Sequence, residues 1–94
     1  MAVFAVNYDL RAKAKPDYAD LYAELERSPN WWHHLESTWL IVTDETAQQL
    51  WNRIARHVHR GDSVLVVEVG DDRQGWLPSD AWEWIAENLA CRSA

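Results

Sequence analysis

An α+β domain with elements in the order β-α-β-β-α-β, followed by one more helix, is what this sequence predicts, and three observations carry that reading. AVFAVNYDL (2–10), WWHHLE with TWLIVT (31–43) and SVLVVEV (63–69) are apolar or β-branched runs of strand length. Between them lie two stretches whose apolar residues recur at helical spacing. With 94 residues, 48% of them hydrophobic and 26% charged, the chain makes one domain (1–94) of ordinary globular composition, enough for a single modest core.

Taken in order, the first run is apolar on both parities, with Phe4, Val6 and Tyr8 on one face and Val3 and Ala5 on the other. RAKAK then reads as a loop. Pro16 suits the first turn of a helix, where Asp17 and Asp20 complement the N-terminal dipole. Tyr18, Leu21, Tyr22 and Leu25 form its stripe, and Ser28-Pro29-Asn30 ends it. WWHHLE and TWLIVT flank Ser37 and predict a hairpin, although its turn has no glycine. Thr43 or Asp44 caps a helix over 45–59 with the inner stripe Ala47, Leu50, Trp51, Ile54 and Val58, and Gly61 stops it. SVLVVEV is the fourth strand, GDDRQGW a turn-rich connection, and Ser79 caps a last helix over 78–92 that buries Trp82, Ile85 and Leu89.

This order is the ferredoxin-like, split βαβ pattern, a four-stranded antiparallel sheet with two helices on one face. Residues 1–70 form that βαββαβ core and the C-terminal helix is added to it. Strands that are apolar on both parities require the second face of the sheet to be covered too. A second copy of the chain is the simplest cover and the C-terminal helix is the other, the two being compatible.

Composition narrows the function classes. There is no apolar run of bilayer-spanning length, no basic-plus-apolar leader, and the single Cys91 excludes disulfide frameworks and cysteine-rich zinc sites within one chain, so a cytoplasmic setting is expected. The net charge of -6 argues against broad, non-specific nucleic-acid binding. Seven tryptophans are too many for so small a core, which places some at an interface.

The topology brings three pieces to one end: the loop after Asp9, the hairpin around Glu36-Ser37 and the corner leading into the fourth strand. The first carries Arg11, Lys13 and Lys15. The third carries Arg56, His57, His59 and Arg60, with Arg53 one turn behind. Such a locally positive rim on an acidic body would hold the phosphates of a nucleic acid; the plainer alternative is solvated charges that suit a helix C-terminus. Asp9, at the end of the first strand, could share a divalent ion with its symmetry mate, or cap the loop through backbone N–H groups.

His33 and His34 cannot chelate one ion, because successive strand side chains point to opposite faces. The one on the open face is a candidate proton-transfer group near Asp9, the alternative being a hydrogen-bonded partner of Glu36. His57 and His59 are also poorly spaced for a shared ion on a helix. No Gly-rich phosphate loop, nucleophile elbow, HExxH or RNP-type aromatic stretch is present.

VNYDL (6–10), HLESTW (34–39) and SVLVVEV (63–69) resemble the small CRISPR spacer-acquisition protein and the VapD-type endoribonucleases, over about residues 1–70. WWHHLESTWLIVT (31–43) looks more like a group of short bacterial proteins loosely labelled SinR-like, over nearly the whole chain. The resemblance implies a ferredoxin-like homodimer with Asp9 holding Mg²⁺ at its centre and Ser37 beside it. Asp9, Ser37 and His34 are then the candidate catalytic residues, and Arg11, Lys13, Lys15, Arg53, Arg56 and Arg60 the candidate nucleic-acid contacts. Two features depart from the family: the acidic total, and an aromatic-rich C-terminal helix where such relatives often swap a strand.

Two functions follow as expectations. One is a metal-dependent endonuclease acting on RNA or DNA. The other is a non-catalytic dimeric interaction module, a scaffold or antitoxin-type protein in a bacterial defence or toxin–antitoxin system, binding a protein partner through an exposed Trp76 or Trp84.

Overall fold

The computed structural model describes residues 1–11 and 18–92, and side chains as far as Leu89. Its elements are β1 (Ala2–Asp9), α1 (Ala19–Glu26), β2 (Asn30–Leu35), β3 (Thr38–Thr43), α2 (Ala47–Ile54, continued by a 3₁₀ turn Ala55–His57), β4 (Ser63–Val69) and α3 (Ser79–Arg92). The protein is therefore α+β, with a four-stranded antiparallel sheet and three α-helices. The expected helix start at Pro16 lies outside the described residues.

The ends of α2 and the start of α3 differ from expectation, Ser79 being the first residue of α3 rather than its cap. α2 starts at Ala47 with Thr46 as N-cap, not Thr43 or Asp44, because Thr46 is the residue with a glutamine three positions on. The Thr46 hydroxyl accepts from Gln49 N at 3.1 Å, and the Gln49 side chain accepts from Thr46 N at 2.9 Å, a reciprocal capping box. Thr43 is left to accept from Glu45 N at 3.2 Å, outside the helix. At its other end the helix stops short of the expected Gly61: the 3₁₀ turn closes at His57 with Val58 extended as its cap. Gly61 then takes φ 95°, a left-handed turn that only glycine enters without strain, as the chain reverses into β4.

The strands lie in the order β2-β3-β1-β4. β1 is central, pairing Val6 with Trp39 on β3 and with Val66 on β4. Phe4, Val6, Trp39 and Ile41 face α1 and α2, where they pack with Leu21, Leu25, Leu50 and Ile54. Fully burying a side chain of this size contributes roughly 1.5–3 kcal/mol, so this layer anchors the fold.

On the opposite face Val3, Trp32, Leu40 and Val42 pack against Ala81, Ile85 and Leu89 of α3. Of the two covers that the doubly apolar strands demanded, α3 is the one seen within a single chain. Its cover is partial. Register places Ala5 beside Val67 and Asn7 beside Leu65 on this same face, yet Leu65 is 59% exposed and Val67 44%. None of the helices among the described residues is long and apolar enough to cross a membrane.

Candidate functional site

The antiparallel register gathers three segments at one end of the sheet. Asp9 ends β1 opposite Ser63, Asn7 lies opposite Thr38, and Tyr8 N donates to the Ser37 carbonyl at 3.0 Å. The expected meeting of the β1 end, the Glu36-Ser37 hairpin and the corner before β4 is thus realised.

Asp62 fastens that end together. Its Oδ1 accepts from Arg11 N at 2.7 Å and from the Tyr18 hydroxyl at 2.8 Å, while Oδ2 accepts from His59 N at 2.9 Å. Desolvation raises its carboxyl, but these hydrogen bonds outweigh it and the pKa falls below the ordinary aspartate value. Asp62 was not singled out from the sequence; an aspartate directly after the corner glycine, able to cap its own turn, was the available signal.

Asp9 is exposed and engaged by its neighbour. Its Oδ2 accepts from Arg11 Nε at 3.0 Å and Nη2 at 2.7 Å, and this hydrogen-bonded guanidinium holds the carboxyl below its usual range. The donor set of one protomer therefore offers Mg²⁺ a single carboxylate already paired with a guanidinium. Among the described residues no group of three or more His, Cys, Asp or Glu is placed to hold a metal ion. One protomer does not fit the ion implied by the family resemblance.

Ser37 sits at the exposed hairpin tip, linked to β1 through the Tyr8 N–H. The two histidines take opposite faces. His33 stacks on Trp39 with ring centroids 4.0 Å apart, on the side of α1 and α2. His34 contacts the Trp32 ring at 4.9 Å, on the side of α3. His34 is thus the histidine on the face that carries Asp9. β3 lies between β2 and β1, however, so two strand spacings of about 4.8 Å each separate the histidine's strand from Asp9's. The fold places His34 and Asp9 on one face without bringing them together.

Among the described residues the expected basic rim is represented by Arg11, Arg53, Arg56 and Arg60. Lys13 and Lys15 lie outside the described residues. Arg60 is exposed at the corner, and Arg56, also exposed, reaches Glu24 Oε1 at 3.4 Å. Arg53 turns away from the rim into the seam between α1 and α2. There Nη1 donates to the Glu24 carbonyl at 2.8 Å and Nη2 to Ser28 Oγ and Glu45 Oε1, both at 2.9 Å. Its donors are occupied within the fold, where it forms an interhelical ion pair with Glu24.

Glu24, its buried partner, also receives Arg53 at 3.3 Å and His57 Nε2 at 3.4 Å. Burial raises its carboxyl; the hydrogen bonds from Arg53 and His57, with the nearby charges of Arg27 and Arg53, more than reverse this and lower its pKa. Behind the hairpin, Trp39 Nε1 donates to the Tyr8 hydroxyl at 3.1 Å, which donates to the Glu36 carbonyl at 3.2 Å. Burial pushes the Tyr8 phenol up to about 12.

Two further surfaces bear on binding. A groove of about 290 Å³ runs between α2 and β4, lined by Ala47, Gln48, Trp51, Val64, Leu65 and Val66. Trp76, in the connection before α3, is 98% exposed, whereas Trp84 packs against the α3 layer. Compared with protein-family models, with curated proteins and with solved structures, the chain matches none of them.

Proposed function

We propose that this chain is a ferredoxin-like domain working as a non-catalytic homodimeric interaction module, of scaffold or antitoxin type, in the cytoplasm of a bacterial defence or toxin–antitoxin system. The strand order β2-β3-β1-β4 supports the ferredoxin-like assignment. One observation carries the functional reading: Leu65 and Val67 stand exposed side by side on a sheet face that α3 covers only in part. Adjacent apolar side chains left in water on an otherwise packed face mark a surface for a partner. Asp9 fits a structural role, since its carboxylate pairs with Arg11. Trp76, almost fully exposed, is an indole available as an anchor for a different protein.

The competing reading, a Mg²⁺-dependent endonuclease acting on RNA or DNA, draws support from Asp9, Ser37, Arg11 and Arg60 sharing one end of the sheet. Incubation of the protein with single-stranded RNA and with duplex DNA in Mg²⁺ separates the two. The module reading expects both substrates to remain intact with the wild type and with Asp9→Ala. Cleavage that needs Mg²⁺ and disappears in a folded Asp9→Ala variant would overturn it.

A further inference from the structure

We infer that β4 is a self-pairing edge: two copies of this chain join antiparallel, β4 to β4, about a two-fold axis through Val66, forming one continuous eight-stranded sheet. This names the partner and the surface for the dimeric module proposed above, and it rests on that reading.

The two edges of the sheet differ in how they are guarded. β2 carries an irregular register between Trp32 and Leu35 and exposes His34, features that discourage a further strand. β4 has none of these. SVLVVEV contains no proline, no lysine and no bulge, and its register with β1 is unbroken from Ser63 to Val69. Its outer side presents strand backbone beside exposed Leu65 and Val67. Up to Glu68, its one charged residue near the C-terminal end, β4 is an apolar edge of the kind that templates another strand.

Charge and apolar cover together select the direction and the register. A parallel, in-register pairing of two copies would set every charge against itself. An antiparallel pairing about a two-fold normal to the sheet keeps α3 on the same side in both copies and must be centred on a residue. Centring on Leu65 opposes Asp62 to Glu68, and centring on Val67 opposes Asp62 to Asp72; like charges so placed are destabilising. Centring on Val66 avoids both; centring on Val64 avoids them too, but it faces Leu65 with Ser63 and Val67 with Gly61 and leaves the exposed apolar pair uncovered.

That register faces Leu65 with the partner's Val67, and Val67 with the partner's Leu65, so the exposed apolar pair on the α3 side covers itself. Beyond the strand ends, the exposed Arg60 corner of each copy runs alongside the exposed Asp71-Asp72 turn of the other. On the helix side the two Val66 residues meet beside the α2–β4 grooves, where Trp51 flanks the seam. Hydrogen bonding, apolar cover and charge complementarity thus agree on one arrangement with closed two-fold symmetry.

Sedimentation velocity across a dilution series tests it with the full chain. The wild type is expected to sediment as a dimer. Leu65→Lys with Val67→Lys, at positions already exposed, is expected to yield a folded monomer by circular dichroism. Arg60→Asp and Asp72→Arg should each raise the dimer dissociation constant about tenfold at low salt, and their combination should restore it, since each change affects two symmetry-related pairs. A dimer unmoved by the double lysine variant would overturn the β4 edge while leaving a dimeric module standing. A wild type that stays monomeric throughout would overturn both.

Discussion

Glu24 shows how residue-level chemistry ties the helices together. A carboxylate buried on α1 receives Arg53 at 3.3 Å, with Arg27, Arg56 and His57 around it. Its pKa is lowered relative to the unfolded chain, so its contribution is present above the ordinary glutamate value of 4.5 and is lost as the pH falls through the lower folded value. Glu24→Gln should cost about 2 kcal/mol in urea unfolding at neutral pH and flatten the acid limb of the stability profile. Tyr8 has the opposite sign. Its phenol is raised from 10.0 to about 12, so the folded state holds its proton longer and stability falls as the pH climbs between those values. Ultraviolet titration of tyrosinate should show a late-titrating component that Tyr8→Phe removes; a titration curve whose late part is unchanged in Tyr8→Phe would contradict the Trp39–Tyr8–Glu36 chain.

The residues also mark what could be read in advance. The opposite orientations of His33 and His34 follow from strand alternation alone, and their ring contacts, His33 stacked on Trp39 and His34 tilted against Trp32, agree. Arg53 was legible only in part. It neighbours the α2 stripe as Glu24 neighbours that of α1, and facing charges beside two apolar stripes signal an interhelical pair. Counting charges by their place along the chain put it on the rim instead. A count does not know which way a long side chain turns.

At the scale of elements, all four strands lie within a residue or two of where their composition puts them, because alternation and β-branching are local properties. The start of α2 was less legible: Thr43, Asp44 and Thr46 are all capping residues, and only the pairing of Thr46 with Gln49 decides among them. Coverage of the second face was visible as a need, in strands apolar on both parities, but the choice of cover depends on how the connection after β4 runs. α3 meets that need through Ala81, Ile85 and Leu89. Ile85→Ala should cost about 2–5 kcal/mol and enlarge the apolar surface seen by a hydrophobic dye, read by thermal unfolding alongside dye fluorescence. A change under about 0.5 kcal/mol, the range of surface substitutions, would mean that α3 does not dock on the sheet.

For the whole molecule, function rests on what one chain leaves unfinished. The end that gathers Asp9 and Ser37 is closed on itself by Arg11 and Asp62, while β4 presents an edge without proline, lysine or bulge beside a half-covered face. Pairing two copies about Val66 completes both the sheet and that face. The geometry offers a direct check, because a residue on the two-fold axis of an antiparallel pair faces its own copy with Cα atoms about 4.5 or 5.5 Å apart, within disulfide range. The decisive measurement is oxidative cross-linking of Val66→Cys in a Cys91→Ser background, with Val64→Cys as the off-axis control. The β4 interface predicts a covalent dimer through Cys at position 66 and almost none at position 64. Equal yields at the two positions, or no cross-link at position 66 in a folded protein, would contradict it.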